Sequence, residues 1–325
     1  MKTGFYRAAL VGLSMLLAAP ALAQTVKVAL DSPPDLENSG SYVWANAFVS
    51  ALNENGMTAE EYQRGALGGE AERLDQVSQG LLEISLSDVK SAGSLNSLMF
   101  GVFLPYFFDS TEQVDQALYD GGMLEQINAG TAPKGVRVLA VMHGGLPAGI
   151  FNTKKPVESV DDMADLRMRA LDEIQIELFK SWGSTGTIVS WPEVPNALQT
   201  GVADGYLNPP VVPLMFGHTD FIKYFTDAAT SPSLRIVIAS EDWYQSLSDA
   251  ERAIVDDAVL QGNAANRAWL APRQEGIFKA LEDAGVTVTR LSPEARAAFR
   301  EKSQAVYEGG PVTAEQIEAW TAAKE

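Results

Sequence analysis

The stretch that decides the fold class is PEVPNALQTGVADGYLNPP, residues 192–210. It opens with a proline, which the first turn of a helix tolerates, and Gly201 follows the last helical position, so residues 192–200 are predicted as a helix. Residues 204–208 are predicted as a short buried strand that ends at Pro209, since proline cannot continue a ladder of hydrogen bonds. A helix followed directly by a buried strand is typical of an α/β protein.

The same alternation continues away from this stretch in both directions. Apolar residues at spacings of three and four predict helices over about 42–52, 70–79, 110–118 and 173–182, and short apolar runs predict strands over 26–30, 81–86, 136–142, 166–170 and 187–190. His143-Gly144-Gly145 is predicted as a chain reversal, after which the series starts again on a second sheet. A long helical pattern follows over 249–284, interrupted by Pro272, and start signals at Ser292 and Thr313 predict two terminal helices.

The first residues predict export. Lys2 and Arg7 precede a short apolar run, and Ala21-Leu22-Ala23 precedes Gln24, which is the layout of a secretory signal peptide cleaved after Ala23. The run is shorter than the roughly 20 residues that cross a bilayer, so a membrane anchor is the weaker interpretation. The expected product is a periplasmic protein without direct membrane insertion.

Composition excludes several function classes. The chain of 325 residues has 24 Lys and Arg against 42 Asp and Glu, and a net charge of −18 makes nucleic acid an unlikely partner. Removal of Lys2 and Arg7 with the signal peptide leaves 22 basic residues and a net charge of −20. Cysteine is absent and histidine occurs twice, which excludes thiol nucleophiles and cysteine-based metal sites. No nucleophile elbow, dinucleotide loop or calcium loop is present, so we expect no enzyme, no cofactor and no metal.

Four stretches resemble one known family. They are GALGGE at 65–70 continued by VSQG at 77–80, LPYFF at 104–108, KPV at 155–157 with DMADLRMR at 162–169, and EVPNALQTGVADG at 193–205 followed by Asn208-Pro209. Their order and spacing resemble those of the DctP-type substrate-binding proteins of tripartite ATP-independent periplasmic (TRAP) transporters.

The resemblance implies a two-lobed periplasmic binding protein fold. Each lobe is a mixed sheet flanked by helices, the ligand cleft lies between the lobes, and a long helix bridges them. We expect residues 24–148 with about 236–270 to form one lobe, and residues 149–235 with about 271–325 to form the other. The implied function is capture of a small organic acid and its delivery to the small and large TRAP membrane subunits for uptake driven by an ion gradient. We expect a monomer.

Arg169 is the predicted anchor of the ligand. In the strand 166–170, alternation puts Arg167 and Arg169 on the same face, and Arg169 lies nearer the carboxyl end, where open α/β sheets bind ligands. The family pattern places its anion-binding arginine here, and a guanidinium can hold a carboxylate through two parallel hydrogen bonds. Arg167 is interpreted as a surface residue. Asn208, at the end of its strand, is the second predicted contact.

Six weaker candidates complete the predicted site. Each has an ordinary structural alternative, such as core packing for the aromatic side chains or a helix N-terminus for Glu70. They are Trp191, Tyr206, Asp88, Glu70, His143 and Phe151.

One departure from the family bears on the ligand. Many acid-binding members carry a second arginine in the stretch that here covers 142–152, and this chain has none there. We therefore expect a monoanion or zwitterion rather than a dianion.

Two alternatives to the implied function remain. The protein is then a two-lobed binding protein that serves a sensor or another transporter, or it is a periplasmic enzyme.

Overall fold

The computed structural model describes residues 25–270, 276–308 and 310–325. The predicted signal peptide and Pro272 lie outside these residues. Within them the strands are β1 Val26–Ala29, β2 Ala59–Tyr62, β3 Ile84–Ser87, β4 Val136–Gly145, β5 Gly149–Asn152, β6 Arg167–Ala170, β7 Thr185–Ile188, β8 Gly205–Asn208, β9 Tyr224–Asp227, β10 Ser233–Ser240 and β11 Thr287–Arg290. The α-helices are α1 Gly40–Glu54, α2 Glu70–Ser78, α3 Val89–Gly93, α4 Thr111–Asp115, α5 Met123–Thr131, α6 Glu173–Ser181, α7 Val194–Gln199, α8 Val212–Phe216, α9 Glu241–Ser246, α10 Asp249–Leu270, α11 Ile277–Asp283, α12 Pro293–Ser303 and α13 Ala314–Ala323.

The strands form two mixed sheets. The first has the order β2-β1-β3-β10-β4, in which β10 runs antiparallel to both of its neighbours. The second has the order β11-β9-β5-β8-β6-β7, in which β5 runs antiparallel to β8 and β9. We call the first sheet with its helices lobe I and the second lobe II. Two mixed sheets flanked by helices confirm the predicted fold class; the predicted residue boundaries of the lobes stay a prediction.

The chain crosses between the lobes from β4 to β5 and again from β9 to β10. The two crossing segments are hydrogen-bonded to each other, since Ala148 N donates to Ser231 O at 3.0 Å and Thr230 N donates to Ala148 O at 2.9 Å. This paired backbone holds the two sheets next to each other, so that the ends of β6 and β8 in lobe II approach the ends of β1 and β3 in lobe I.

Helix α1 shows why the lobe I elements form. Ser39 caps it by accepting a hydrogen bond from Tyr42 N, and its inner stripe of Trp44, Phe48 and Leu52 is fully buried. Burial of each such side chain contributes about 1.5–3 kcal/mol. The stripe packs on the predicted long helix, which is present as α10. Gly262 of α10 allows this approach, because a Cβ there would lie 2.7 Å from the Trp44 ring.

Several secondary-structure elements have different bounds in the structure from those predicted. The predicted reversal at 143–145 is wrong, because pairing with β10 as far as Ser233↔Gly145 keeps these residues in β4 and the chain turns at 146–148. The predicted helix over 192–200 begins as a 3-10 turn at Trp191–Glu193 and becomes α-helical only in α7. The C-terminal helix α13 packs on lobe I, where Trp320 Nε1 donates to Leu98 O at 2.8 Å.

Candidate ligand-binding site

Arg169 lies in the middle of a row of side chains that crosses lobe II. In the sheet register Arg169 of β6 is opposite Tyr206 of β8, Tyr206 is opposite Phe151 of β5, and Phe151 is opposite Phe225 of β9. Registered neighbours share one face of a sheet, so the three aromatic rings form an apolar wall next to the guanidinium. Phe151 and Tyr206 are fully buried, and their ring centroids are 5.3 Å apart. Phe151 therefore supports this face from within the core.

Arg169 is a buried cation without a counter-ion. Its residue is 5% exposed, and Nε donates to the carbonyl oxygen of Val189 at 2.9 Å. Among the described residues it forms no ion pair. Burial lowers the pKa of Arg169, while the negative charges of Asp88, Asp172 and Glu70 act in the opposite direction. An arginine remains protonated at any ordinary pH, so Arg169 is a buried positive charge without an ion-pair partner among the described residues.

Arg167 lies two residues away and is fully paired. Its Nε and Nη2 donate to the two carboxylate oxygens of Asp204 at 2.9 and 2.7 Å, and its side chain is 51% exposed. The interpretation of Arg167 as a surface residue agrees with this geometry.

Trp191 lies at the edge of the aromatic wall. The Arg169 guanidinium carbon lies 5.7 Å from the centroid of the Trp191 ring, which also contacts Phe216 and His218 at 5.2 Å each. An indole face attracts a cation, so this contact orients the guanidinium. Trp191 itself is half-buried.

Sequence reasoning missed His218 as a member of the site. Its Nδ1 lies 3.2 Å from the Tyr206 hydroxyl, and burial lowers the pKa of His218 to about 4. Burial raises the pKa of Tyr206 well above its usual range, so a protonated phenol faces a neutral imidazole. The hydrogen bond between Tyr206 and His218 fixes the Tyr206 ring next to Arg169 without adding charge. The signal that could have found His218 is its place directly after the apolar run VVPLMFG at 211–217.

Asn208 presents an unpaired donor at the carboxyl end of β8. Its Nδ2 is buried and has no hydrogen-bond partner among the described residues. Leaving a buried donor unpaired costs about 1–3 kcal/mol, which an acceptor oxygen on a ligand would offset. The structure thus brings together Arg169, Asn208 and Trp191, three residues that end or follow neighbouring strands of one sheet.

Lobe I contributes a cluster that sequence reasoning found only in part. Arg235 of β10 donates from Nε to Asp31 Oδ2 at 2.5 Å, from Nη1 to Asp88 Oδ2 at 2.9 Å and from Nη2 to Glu70 Oε1 at 2.5 Å. We call these four residues the Arg235 cluster. Asp88 and Glu70 were predicted; Asp31 and Arg235 were not. A lone arginine inside the apolar run SLRIVIAS was the available signal.

The carboxylates of the Arg235 cluster differ in how readily they ionise. Burial raises the pKa of Asp88 to about 6, aided by the charge of Glu70 and opposed by Arg235. Burial also acts to raise the pKa of Glu70, but Arg235 outweighs it and the result lies below the ordinary value. Burial is thus the largest influence on both carboxylates and Arg235 the largest opposing one, and the balance between them differs from Asp88 to Glu70.

His143 has different neighbours from the other predicted residues. Its backbone N–H donates to Asn266 Oδ1 at 2.8 Å, and Asn266 Nδ2 returns a bond to its carbonyl oxygen at 2.9 Å. Burial and the nearby charge of Arg267 lower the pKa of His143 to about 3. The structure packs His143 against α10, and these contacts do not join it to Arg169.

The two halves of the site face each other across a closed cleft. Lys90 Nζ of lobe I donates to Leu171 O of lobe II at 3.3 Å, and the Arg64 guanidinium lies 5.6 Å from the Phe216 ring centroid. A cavity of about 670 Å³ lies elsewhere, beside Leu146 and Arg290. The residues lining that cavity include no buried polar atom without a partner, whereas the cleft has such atoms on Asp31 and Asn208.

Comparisons with known proteins agree with this architecture. Residues 38–310 match the family model DctP, described as bacterial extracellular solute-binding protein, family 7. The chain is 26% identical to the ectoine-binding periplasmic protein TeaA of Halomonas elongata, over 82% of this chain and 79% of that protein. It is also 26% identical to the C4-dicarboxylate-binding periplasmic protein DctP of Rhodobacter capsulatus, over 92% of each.

Solved structures show the same fold. A TRAP periplasmic solute-binding protein from a Polaromonas species, bound to D-erythronate, superposes with a TM-score of 0.83 at 22% identity, covering 92% of this chain and 98% of that one. No helix among the described residues combines the length and apolarity needed to cross a membrane. The predicted family is confirmed: the chain belongs to the DctP family of bacterial extracellular solute-binding proteins.

Proposed function

We propose that this protein captures a small organic acid in the periplasm and delivers it to the membrane subunits of a TRAP transporter, which take it up with an ion gradient. The observation that carries the proposal is the buried, unpaired guanidinium of Arg169. The names of the relatives support it, since they describe binding of ectoine, C4-dicarboxylates and D-erythronate, all of which carry carboxylate groups.

The mode of binding follows from the geometry. Nε of Arg169 is already used on Val189, which leaves the terminal nitrogens to hold a carboxylate. Asn208 Nδ2 supplies a further donor for the same group or for an adjacent oxygen, and the Trp191 ring covers the carbon skeleton. The ligand stabilises the closed form because it contacts both lobes at once, and a ligand shifts the equilibrium only by its differential affinity for the two forms.

Arg169→Ala tests the proposal directly. Purified mature protein is titrated by calorimetry with the best ligand from a thermal-shift panel of hydroxy acids, sugar acids, dicarboxylates and ectoine. Loss of the clamp leaves the carboxylate buried and unpaired, at a cost of roughly 2 to 5 kcal/mol, which is about 30-fold to several thousand-fold in affinity. Unchanged affinity would remove Arg169 from the site and the proposal with it.

Arg167→Ala is the matched control. It removes the same charge from the same strand, but its partner is Asp204 rather than a ligand. We expect this variant to lose some thermal stability and to keep its affinity. Delivery is tested separately: reconstituted TRAP membrane subunits should take up the labelled acid only when the protein and an ion gradient are both present.

Export has its own test. The mass of the protein recovered from periplasmic extracts should correspond to a chain that begins at Gln24. Retention of residues 1–23 on the recovered protein would contradict the predicted cleavage.

A further inference from the structure

We infer that lobe I selects the far end of the ligand: it accepts an organic acid whose end away from the carboxylate carries hydrogen-bond donors, as hydroxyl or ammonium groups, and it disfavours a second carboxylate. The inference rests on the proposed function, because it assumes that one carboxylate is held by Arg169. It names the class of acid that the same cleft takes.

The first argument is the charge of the Arg235 cluster. One guanidinium faces three carboxylates, and each of its three nitrogens already donates to a different one of them. Its side chain is 23% exposed, whereas that of Asp31 is 2% exposed. The cation is therefore committed to the protein, and the cluster as a whole is acidic.

The nearby Arg73 does not make the net charge around the Arg235 cluster positive. Its charge acts on Glu70, but its own donors are used on the Ser85 hydroxyl and on the carbonyl oxygens of Gly68 and Leu86, at 2.9, 3.1 and 3.0 Å. Two cations then stand against three carboxylates in direct contact with the Arg235 cluster. Farther out, the negative charge of Asp172 reaches Asp88 and Arg169, the positive charge of Lys90 reaches Asp172, and that of Arg64 reaches Arg73. A second ligand carboxylate would enter a field of its own sign.

The second argument is an acceptor without a donor. Asp31 is 7% exposed; its Oδ2 accepts from Arg235 and, at 3.5 Å, from the Ser41 hydroxyl. Its Oδ1 is buried and has no hydrogen-bond partner among the residues that the structure describes. Buried carboxylate oxygens without donors are costly, so a hydroxyl or ammonium group on the ligand would be bound strongly there.

The third argument is the placement of the two ends. Asp88 and Glu70 are near enough for their charges to act on Arg169, yet neither forms an ion pair with it. The space between them is bounded by a cation on the lobe II side and by acids on the lobe I side. A ligand that spans it needs an anionic group at one end and donors at the other.

Matched acids that differ only at the far end test this inference. Dissociation constants are measured by calorimetry for erythronate against meso-tartrate, gluconate against glucarate, and 4-aminobutyrate against succinate. In each pair that binds, the acid with hydroxyl or ammonium groups alone at its far end should bind roughly 10- to 100-fold more tightly than the dicarboxylate. The third pair tests an ammonium group, in place of hydroxyl groups, against the second carboxylate.

Asp31→Asn should reduce the ratio of the two dissociation constants within each pair by about tenfold, mainly because the dicarboxylates bind better once a negative charge is removed. If Asp31→Asn fails to fold, Asp88→Asn is the second variant. It should fold because an asparagine at this position can still cap α3. The matched control is Asp161→Asn, a change of the same charge on a side chain that is 89% exposed and pairs with Lys302.

The outcomes separate the inference from the proposed function. Dicarboxylates that bind as tightly as their partners, or an Asp31→Asn variant with unchanged preference, overturn the inference. So does the absence of binding by all three donor-bearing acids at concentrations up to about 10 mM. If Arg169→Ala also abolishes acid binding, the proposed function stands; if Arg169→Ala binds every acid normally, the proposed function itself is wrong.

Discussion

The two sides of the cleft each hold a partly or fully buried arginine, but in opposite electrostatic states. Arg235 of lobe I forms ion pairs with three carboxylates, whereas Arg169 of lobe II forms no ion pair among the described residues, although Asp88, Asp172 and Glu70 are near enough for their charges to act on it. The same residue type is thus an ion-paired cation on one side and a cation without an ion pair on the other. Pairing within the protein, rather than residue type, decides which arginine is available to a ligand.

We expect the largest effect from replacing each arginine by methionine, because the two variants should differ in their free energy of unfolding. Arg235→Met leaves three crowded carboxylates without their cation, and we expect the free energy of unfolding without ligand to fall by about 3–5 kcal/mol. Arg169→Met removes a buried unpaired charge, so the stability of the unliganded protein should stay the same or rise. Chemical denaturation of both variants measures the difference. Equal losses in both would show that Arg169 has a partner in the unliganded protein.

Asn208→Ala should weaken ligand binding on the lobe II side alone. A hydrogen bond to a charged group contributes roughly 1.5 to 3 kcal/mol, which corresponds to a loss of about ten- to over a hundredfold in affinity. Stability without ligand should not fall, because the removed donor has no partner among the described residues. Asn196→Ala, on the exposed surface of α7, is the control. A matching loss of stability would indicate that Asn208 serves the fold.

Asp88 should make the stability of the protein depend on pH through the Arg235 cluster of lobe I. Its folded pKa of about 6 lies above the ordinary value of 3.8, so its contribution to stability is fully present below about pH 4 and is lost as the pH rises through 6. The cause is burial together with Glu70 and Asp172, opposed by Arg235 and by the Lys90 backbone.

Asp88→Asn therefore should equal the natural protein in stability near pH 4 and exceed it near pH 7, both measured without ligand. The opposite order would mean that Arg235 holds the carboxylate ionised in the folded protein. That result would make the cluster a stabilising ion-pair network rather than a strained one.

The contacts across the closed cleft should have the smallest effects. Lys90→Ala and Arg64→Ala each remove one partly exposed contact between the lobes, worth no more than about 1 kcal/mol. Ligand affinity should fall by roughly two- to fivefold, since these contacts exist only when the lobes close. Lys180→Ala, which breaks an exposed pair within α6, should leave affinity unchanged. A fall in affinity for that variant as well would point to general electrostatics.

The residues of lobe II could be predicted because their signals are local. Arg169 and Asn208 stand at the carboxyl ends of strands that the sequence pattern marks clearly, and a sheet brings neighbouring strand ends together. The predicted reversal at His143 failed because the extent of β4 depends on pairing with β10, whose residues lie about ninety positions later in the chain. A local glycine signal cannot outweigh a full set of ladder hydrogen bonds.

The Arg235 cluster could not be predicted in the same way. Arg235 lies 204, 165 and 147 positions from Asp31, Glu70 and Asp88, and nothing in the local pattern links these residues. Asp88 and Glu70 were identified individually from their places at strand and helix ends. That both share one cation became visible only when β10 was found between β3 and β4.

The sequence by itself determined the α/β alternation and the family, and it predicted Arg169 as the anchor on lobe II, because periodicity, strand ends and local motifs are properties of neighbouring residues. Only the tertiary structure decided that one arginine is neutralised and the other is not. Charge pairing depends on distances between side chains far apart in the chain, and the sheet order of lobe I sets those distances.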